Sequence, residues 1–310
     1  MELHRPSGRR GLGLALASTT MLLWGVLPLA LREALRSLDP ATLTAFRFTV
    51  SASVLGAFLA ARGALPVRAQ LTRGTGLLLG VATLGLAANY IAFLLGLART
   101  SPANAQVLIQ AGPLLLALGG IAVFRERFSA SQWIGAALLA IGLGLFFRSQ
   151  LAAMGREPAR YLAGVGWIGF AAATWAIYGL AQKQLLHGVS SQAVMLCIFA
   201  GCALVFLPAS SPRALLALTP RAWVVLAFCT ANTLVAYGAF AAALEHEEAS
   251  RVSAVLALTP LATVACSALA STLFPRHFVD EHLSIASWIG AGGVVAGSLL
   301  TALGRRRSIS

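Results

Sequence analysis

Two pairs of polar residues lie within long apolar stretches of this sequence, where they could bind a ligand. Asn89 and Tyr90 are adjacent in one stretch, and Asn232 and Tyr237 lie in another. Polar side chains inside a membrane are costly, so their positions are informative. The tyrosines could form aromatic walls with a hydroxyl for the polar end of a substrate. The alternatives are anchoring at the membrane interface and hydrogen bonds between helices, which Asn often makes in bundles.

Glutamines and prolines mark two further stretches. Gln106 and Gln110 lie four residues apart, on one face of a predicted helix, and Pro113 follows one turn later. Because proline lacks an N–H, it leaves a backbone carbonyl free. A free carbonyl beside an amide could contact a substrate, as in transporters with interrupted helices. Pro260 predicts the same feature in a later stretch, and the alternative in both is a structural kink.

Three more aromatic residues are candidates for lining the same site. Trp24 and Trp175 lie deeper in their apolar stretches than tryptophans that anchor the membrane interface usually do. Tyr178 follows close behind Trp175. We therefore add all three to the predicted substrate-binding residues.

Arg47 is the only charged residue well inside an apolar stretch. It lies about two helical turns from Pro40, so its long side chain could extend to the outer membrane surface. It could instead pair with Glu33 or bind a carboxylate of a substrate. We expect extension to the surface or structural pairing.

Several other chemistries lack the residues they require. Asp occurs only as Asp39 and Asp280, so a paired-aspartate intramembrane protease is excluded. Lys183 is followed by Gln184, so no phosphate-binding P-loop is encoded. The cysteines fall in apolar runs without metal-ligand spacing, and we expect neither a metal site nor a cofactor. These cysteines are Cys197, Cys202, Cys229 and Cys266.

The acidic stretch Glu245-His246-Glu247-Glu248 could suggest a metal site or a proton relay. It falls at a predicted helix end, where neighbouring carboxylates cannot converge on one face, so we interpret it as a solvated turn. No Asp or Glu lies at mid-membrane depth. We therefore expect weak or absent obligatory proton coupling, as in a facilitator or an exchanger.

The composition requires a membrane protein. Of 310 residues, 58% are hydrophobic and 11% are charged, with a mean hydropathy of +0.81. Soluble domains contain about 25% charged residues. The net charge of +13 comes almost entirely from arginines spread over short connections, which indicates membrane topology and no nucleic-acid partner.

Ten apolar stretches are long enough to span a bilayer, which takes about 20 residues. Connections of about ten residues leave no room for a soluble domain. Inner segments would hold 13 Arg and Lys residues and outer loops 9 if the N-terminus is inside, so we expect both termini in the cytoplasm. The predicted spans are 11–31, 41–61, 74–98, 102–124, 131–148, 161–181, 191–208, 221–244, 250–274 and 284–303.

The chain contains an internal repeat. Ala88–Leu97 matches Val235–Leu244, and this alignment places Tyr90 on Tyr237 with an offset of 147. The motif Trp-Ile-Gly-Ala occurs at 133–136 and again at 288–291, with an offset of 155. Two five-helix halves therefore follow, over 11–148 and 161–304 with a linker at 149–160. Because five is odd, the second half must enter the membrane from the opposite side, which is typical of transporters.

These motifs resemble the EamA module of the drug/metabolite transporter superfamily. The resemblance is carried by Thr100–Gly142, by Trp24-Gly25, by Pro40 with Arg47-Phe48, and by Trp175-Ala176-Ile177-Tyr178. It implies a ten-helix 5+5 transporter with a central cavity lined chiefly by the first, third, fourth, sixth, eighth and ninth helices. It also implies small metabolites, amino acids or drugs as substrates, most often exported. The sequence lacks a counterpart of Arg47 in the seventh helix.

The sequence therefore predicts an all-α integral membrane protein with ten transmembrane helices in two inverted five-helix repeats. We expect it to move small organic metabolites across the inner membrane, as an exporter that works by alternating access. Its partners would be the small-molecule substrate and the lipid bilayer, and it would act as a monomer or homodimer. The alternatives are a non-transporting assembly or scaffold subunit and an intramembrane enzyme, which the position of all five histidines in loops or at span ends disfavours.

Overall fold

A computed structural model of the protein describes residues 9–65, 73–124, 128–153, 158–185, 189–246, 252, 255–273 and 283–303. Within these ranges all regular structure is helical. Eight helical segments are long and apolar enough to cross a membrane, counting Pro102–Val123 as one segment despite its turn, so the chain is an all-helical membrane protein. Ten such spans were predicted. The two remaining apolar helices are shorter, because the ninth predicted span is interrupted and the tenth begins only at Ile285.

The first half contains six helices, because the fourth predicted span is divided in two. The first and the last of these helices extend a few residues beyond their predicted spans. These helices are α1 (Arg10–Ala34), α2 (Pro40–Ala61), α3 (Arg73–Leu97), α4 (Pro102–Leu108), α5 (Ala111–Phe124) and α6 (Ala130–Ala153).

The second half follows the same order, with one short additional helix. α6 ends at Ala153 and α7 begins at Pro158, so most of the predicted linker at 149–160 is helical, and 154–157 lie outside the described residues. The helices are α7 (Pro158–Leu185), α8 (Ser191–Phe206), α9 (Arg213–Leu216), α10 (Pro220–His246), α11 (Thr259–Leu273) and α12 (Ile285–Leu303), with a 3-10 turn at Leu207–Ala209.

Several helices begin where the sequence supplies a cap. Asp39 accepts hydrogen bonds from two backbone N–H groups of the first turn of α2, and Ser101 and Ser190 do the same for one N–H each in α4 and α8. Pro40 and Pro102 occupy the first helical position, where a missing N–H costs nothing. These caps fix where the chain re-enters the helical bundle.

Two predicted spans are interrupted instead of continuous. The span at 102–124 breaks at 109–110, between α4 and α5. The span at 250–274 has a turn at 257–258, immediately before α11. Pro113 and Pro260 lie in the first turn of the helix that follows each interruption, where proline is tolerated because the N–H groups have no helical partner.

The two halves contact each other reciprocally. α1 packs against α10 and α3 packs against α7, while α2 packs against α8 and α6 against α12. The repeat makes α1 equivalent to α7 and α3 equivalent to α10, so the first two contacts are one contact made twice. The other two join equivalent helices. This arrangement brings α1, α2, α3, α8 and α10 together between the halves.

Glycines allow α6 and α12 to approach closely. A Cβ atom on Gly142 would lie 2.6 Å from the backbone nitrogen of Val294, and one on Gly297 would collide with the backbone nitrogen of Leu139. Gly142 and Gly297 are separated by 155 residues, the offset of the repeat in this region. Each half therefore supplies the same small residue to one interface, as is common where membrane helices pack tightly.

Candidate functional site

Tyr90 and Tyr237 meet between the two halves. Tyr90 is on α3 and Tyr237 is on α10, and their hydroxyl oxygens are 3.4 Å apart. Both side chains are partly exposed although they lie inside the helical bundle. The repeat predicts that they face each other from opposite halves, and the structure places them in contact.

Aromatic rings surround this contact on the α1 and α10 side. The Trp24 ring packs edge-to-face on Tyr237, with centroids 5.5 Å apart, and lies 5.8 Å from Phe240. Such geometry is the favoured arrangement of aromatic pairs. Trp24 therefore reaches from α1 to the tyrosine pair, and its contact with a substrate stays a prediction.

Two phenylalanines complete the surroundings from α2 and α8. Phe48 lies 4.6 Å from the Tyr90 ring and 5.7 Å from Phe199, which packs edge-to-face on Tyr237 at 6.1 Å. These residues form what we call the aromatic cluster: Trp24, Phe48, Tyr90, Phe199, Tyr237 and Phe240. The cluster provides ring faces and two hydroxyls, which suit an organic molecule with an apolar body and a polar group.

Arg47 lies beside the aromatic cluster and does not reach the membrane surface. Its exposed fraction is 1%, which contradicts the expected extension to the outer surface. Its Nε and Nη2 atoms donate to the Thr233 hydroxyl oxygen at 3.1 and 2.7 Å, and its guanidinium carbon lies 5.1 Å from the centre of the Tyr90 ring. A hydroxyl and an aromatic face thus hold the guanidinium inside the bundle, where it is attracted to the electron-rich ring.

The expected pairing of Arg47 with Glu33 is also wrong. Glu33 makes ion pairs with Arg36 at 2.9 Å and with Arg221 at 3.0 Å, at the end of α1. Both arginines are exposed, so their charges stay in contact with water, while the Glu33 carboxylate is half-buried between them. Glu33 is therefore committed at the surface and Arg47 is not its partner.

The two asparagines hold helices of opposite halves together. The side-chain nitrogen of Asn89 donates to the backbone oxygen of Ala171 on α7 at 2.8 Å, and that of Asn232 donates to the backbone oxygen of Leu23 on α1 at 2.7 Å. These are the helix–helix hydrogen bonds that formed the alternative to a role in substrate binding. A direct substrate contact by either residue stays a prediction.

Gln106 and Gln110 lie on either side of the end of α4, and both are buried. Neither side chain makes a hydrogen bond to another residue in the described part of the chain, so both amides are available to a ligand at the interruption. The backbone carbonyl of Ile109, which Pro113 cannot bond, accepts instead from the N–H of Gly112 at 2.8 Å. That carbonyl is not free.

The carbonyl freed by Pro260 is also occupied. The hydroxyl of Thr259 donates to the backbone oxygen of Leu256 at 2.5 Å. Pro260 itself is buried, whereas Pro113 is exposed. The prolines therefore accompany helix interruptions, but the carbonyls that they release accept hydrogen bonds from the first residues of the helix that follows.

Trp175 and Tyr178 belong to the same buried core as the tyrosine pair. A Cβ atom on Gly112 would lie 3.1 Å from the Trp175 ring, so this tryptophan covers the start of α5. The Tyr178 hydroxyl donates to the Met195 sulfur at 3.6 Å. Trp24 contacts Tyr237 directly, whereas these two residues contribute to the core against which Tyr90 and Tyr237 pack.

The described residues contain no group of three or more His, Cys, Asp or Glu side chains placed to hold a metal ion. His246 is the last residue of α10, while Glu247 and Glu248 of the predicted acidic turn lie outside the described residues. The four cysteines are unpaired thiols in this structure. The site consists of aromatic, hydroxyl, amide and guanidinium groups.

Sequence reasoning missed Phe48, Phe199 and Thr233 as neighbours of the tyrosines. In an apolar stretch a phenylalanine has no pattern that separates it from other core residues. The contact of Thr233 with Arg47 joins positions 186 residues apart. Phe240 had a usable signal, because the repeat aligns it with Phe93.

The chain is similar, over nearly its whole length, to a transporter family and to proteins named as transporters. Residues 11–148 and 162–303 each match the family model described as the EamA-like transporter family. The chain is 35% identical over 297 residues to the "uncharacterized inner membrane transporter YhbE" of Escherichia coli K12, covering 96% of this chain and 92% of that protein. It is 34% identical over 298 residues to an "uncharacterized transporter" of Haemophilus influenzae, covering 95% of this chain and 96% of that protein.

A protein of known crystal structure has a similar fold. Its TM-score with this chain is 0.62, at 21% sequence identity, and the alignment covers 96% of this chain and 99% of the other. At this identity the likeness concerns the arrangement of the helices.

Proposed function

Because the chain belongs to the EamA-like transporter family, we propose that it is a secondary transporter of small organic metabolites, amino acids or related compounds, across the inner membrane. The observation that carries this proposal is the contact between Tyr90 and Tyr237, made at 3.4 Å between two halves of one repeat. A substrate site between two related halves can be opened to either side of the membrane by movement of one half against the other.

The architecture in this proposal has ten crossings in two inverted repeats. α4 and α5 together make the fourth crossing, α11 with the turn before it makes the ninth, and α12 makes the tenth. The reciprocal contacts of α1 with α10 and of α3 with α7 support this architecture, because a twofold relation between the halves converts one contact into the other. Both termini face the cytoplasm in this arrangement.

The tyrosine contact supplies the closing step of alternating access. An O–H···O bond is most favourable near 2.7–2.8 Å, and the observed separation of 3.4 Å is longer. The contact is therefore weak, and a substrate hydroxyl, amide or carboxylate can replace it at low cost. Rocking of one half would separate the two hydroxyls and let the substrate lie between ring faces of the aromatic cluster.

Direction and coupling follow from the family and from the charges. The resemblance favours export. The described spans contain no buried carboxylate, since Arg47 is the only charged side chain among the buried residues of the described chain. Transport by exchange or facilitated diffusion therefore fits the site better than obligatory proton coupling.

Efflux from liposomes tests the proposal. The purified full chain is reconstituted into vesicles loaded with a pool of amino acids and common metabolites, and mass spectrometry records what leaves, with and without a pH gradient. We expect selective loss of one chemical class. If loaded vesicles that contain the protein, folded by circular dichroism, lose no more metabolite than loaded vesicles without protein, the result would contradict the proposal and favour a scaffold role.

A further inference from the structure

Arg47 is a buried cation beside the tyrosine pair of the proposed transport site. It lies seven residues after the first residue of α2, which is roughly 10 Å into the helix at 1.5 Å per residue. Its partners, Thr233 on α10 and Tyr90 on α3, belong to opposite halves. The guanidinium therefore lies where the two halves meet, next to the tyrosine pair.

The neighbours of Arg47 do not neutralise its charge. Within the described part of the chain no carboxylate is within ion-pair distance, because Glu33 pairs with surface arginines and Asp39 caps α2. An ionised group buried without an opposite charge is strongly unfavourable. In membrane proteins such groups mark substrate or ion pathways. The missing negative charge points to a ligand.

The hydrogen bonds of Arg47 are also incomplete. Thr233 donates its own hydroxyl proton to the Cys229 carbonyl at 2.9 Å. Its oxygen therefore acts only as an acceptor toward Arg47. A guanidinium has five N–H donors. Nε and Nη2 each use one, while the donors of Nη1 have no acceptor among the described residues. One edge of the planar guanidinium group is thus available for a bidentate bond to an oxyanion.

Ser51 provides a second, independent sign of a missing partner. It lies four residues after Arg47 and therefore on the same face of α2. Its Oγ atom is fully buried and has no hydrogen-bond partner among the described residues. Nearby Ser53 and Thr44 instead bond the backbone oxygen four residues earlier, at 2.9 and 2.7 Å. The Ser51 hydroxyl is therefore available to a ligand that lies beside Arg47.

We infer that Arg47 binds the carboxylate of the transported substrate, a small monocarboxylate whose apolar body lies on the aromatic cluster. This inference rests on the proposed function and names its substrate class. A single buried cation neutralises one carboxylate, whereas a phosphate dianion would leave a net negative charge in a site without a second described cation. The Tyr90 ring faces the charge, and Phe48 packs on that ring. Trp24 and Phe240 continue the aromatic cluster on the far side of Tyr237, and together these rings match an apolar body.

Ligands that share a carbon skeleton but differ in head group test the inference on the wild-type protein. The probes are hexanoate, 3-phenylpropionate and indole-3-acetate, each with the primary alcohol and primary amine of the same skeleton, and phenyl phosphate. Binding is measured as the rise in thermal unfolding temperature of the purified full chain in detergent. We expect at least one carboxylate to bind roughly 10-fold or more tightly than its alcohol and amine, as a charge-assisted bidentate bond provides. Equal binding of alcohol or amine, stronger binding of phenyl phosphate, or no binding by any carboxylate would overturn the inference.

Variants then assign the carboxylate selectivity to Arg47. Arg47→Lys keeps the charge but removes the planar fork, so we expect carboxylate affinity to fall about 10-fold and alcohol affinity to stay unchanged. Arg62→Gln is the matched control, since Arg62 also stacks on an aromatic ring, Phe58 at 4.3 Å, but is exposed at the end of the same helix. If Arg47→Lys unfolds, Thr233→Val removes the positioning hydroxyl and should lower carboxylate affinity several-fold. Retained carboxylate selectivity in a folded variant of this kind would overturn the assignment.

The outcomes separate this inference from the proposed function. Efflux of a compound without a carboxylate would leave the transporter proposal intact and overturn the inference. Absence of any efflux from liposomes would contradict the transporter proposal itself.

Discussion

The hydroxyl oxygens of Tyr90 and Tyr237 lie 3.4 Å apart although 147 residues separate these tyrosines in the chain. The same number is the offset at which the surrounding sequences match. One residue position of an ancestral unit is therefore present twice, and its two copies touch. Any movement of the halves against each other changes this contact.

Removing either tyrosine hydroxyl should impair transport without unfolding the protein. A neutral hydrogen bond contributes about 0.5–1.5 kcal/mol, so Tyr90→Phe or Tyr237→Phe should raise the KM of liposome efflux by about 3- to 10-fold. Tyr161→Phe is the matched control. The Tyr161 hydroxyl donates a hydrogen bond to the Asn104 side-chain oxygen at 3.2 Å, and neither residue belongs to the aromatic cluster. An equal rise of the KM in the Tyr161→Phe control, or an unchanged KM in both site variants, would show that these hydroxyls do not act on the substrate.

Adding one methyl group to the α6–α12 interface should destabilise the protein. Alanine at Gly142 would place a Cβ atom 2.6 Å from the backbone nitrogen of Val294, so a helix must shift. Overpacking of this kind costs about 1–3 kcal/mol, and we expect Gly142→Ala to lower the unfolding temperature. Gly144→Ala, on the same helix with nothing within 4 Å, is the control and should leave it unchanged or raise it. If Gly144→Ala lowered the unfolding temperature more than Gly142→Ala, the result would contradict the packing described for this interface.

The asparagines should act on stability more than on substrate affinity. Asn89→Leu removes the hydrogen bond to the Ala171 carbonyl, and Asn232→Leu removes the one to Leu23. Such bonds between membrane helices contribute about 0.6 kcal/mol on average. We therefore expect a lower unfolding temperature. The efflux KM should stay within about 2-fold of wild type, because even a full loss of this energy from substrate binding would change affinity only a few-fold. A large rise in KM with unchanged stability would restore the predicted direct role in substrate binding.

Gln110 should contribute to the transport site from the helix interruption. Its buried amide makes no hydrogen bond to other described residues, so Gln110→Leu removes a polar group that only a ligand or water would use. We expect slower efflux at low substrate concentration and no loss of thermal stability. Gln192→Leu, exposed in the first turn of α8, serves as the control. A lower unfolding temperature of Gln110→Leu without an effect on efflux would assign this amide a structural role.

The sequence was sufficient to predict the helical membrane class, and the repeat predicted that the two tyrosines face the axis between the halves. Span length and hydropathy depend on local composition, and the repeat carries long-range information because it relates positions such as Trp24 and Trp175. The repeat also aligns Pro113 with Pro260, and each lies in the first turn after a helix interruption that the predicted continuous spans did not include.

The remaining contacts depend on packing between distant segments. Arg47 was expected at the surface because an isolated charge in an apolar helix usually extends to water, but Thr233 and the Tyr90 ring lie close enough to hold it inside. The carbonyls released by the prolines were expected to be free. Local bonds from Gly112 and Thr259 occupy them, and these depend on the backbone path at each interruption.

The most direct test of alternating access is the accessibility of position 237 from the two sides of the membrane. Tyr237→Cys is made in a background that lacks the native cysteines, and an impermeant thiol reagent is applied separately to right-side-out and inside-out vesicles. The residues replaced in the background are Cys197, Cys202, Cys229 and Cys266. We predict labelling from both sides, reduced by transported substrate. Labelling from one side only, or from neither side while efflux continues, would contradict a central site that opens alternately to each side.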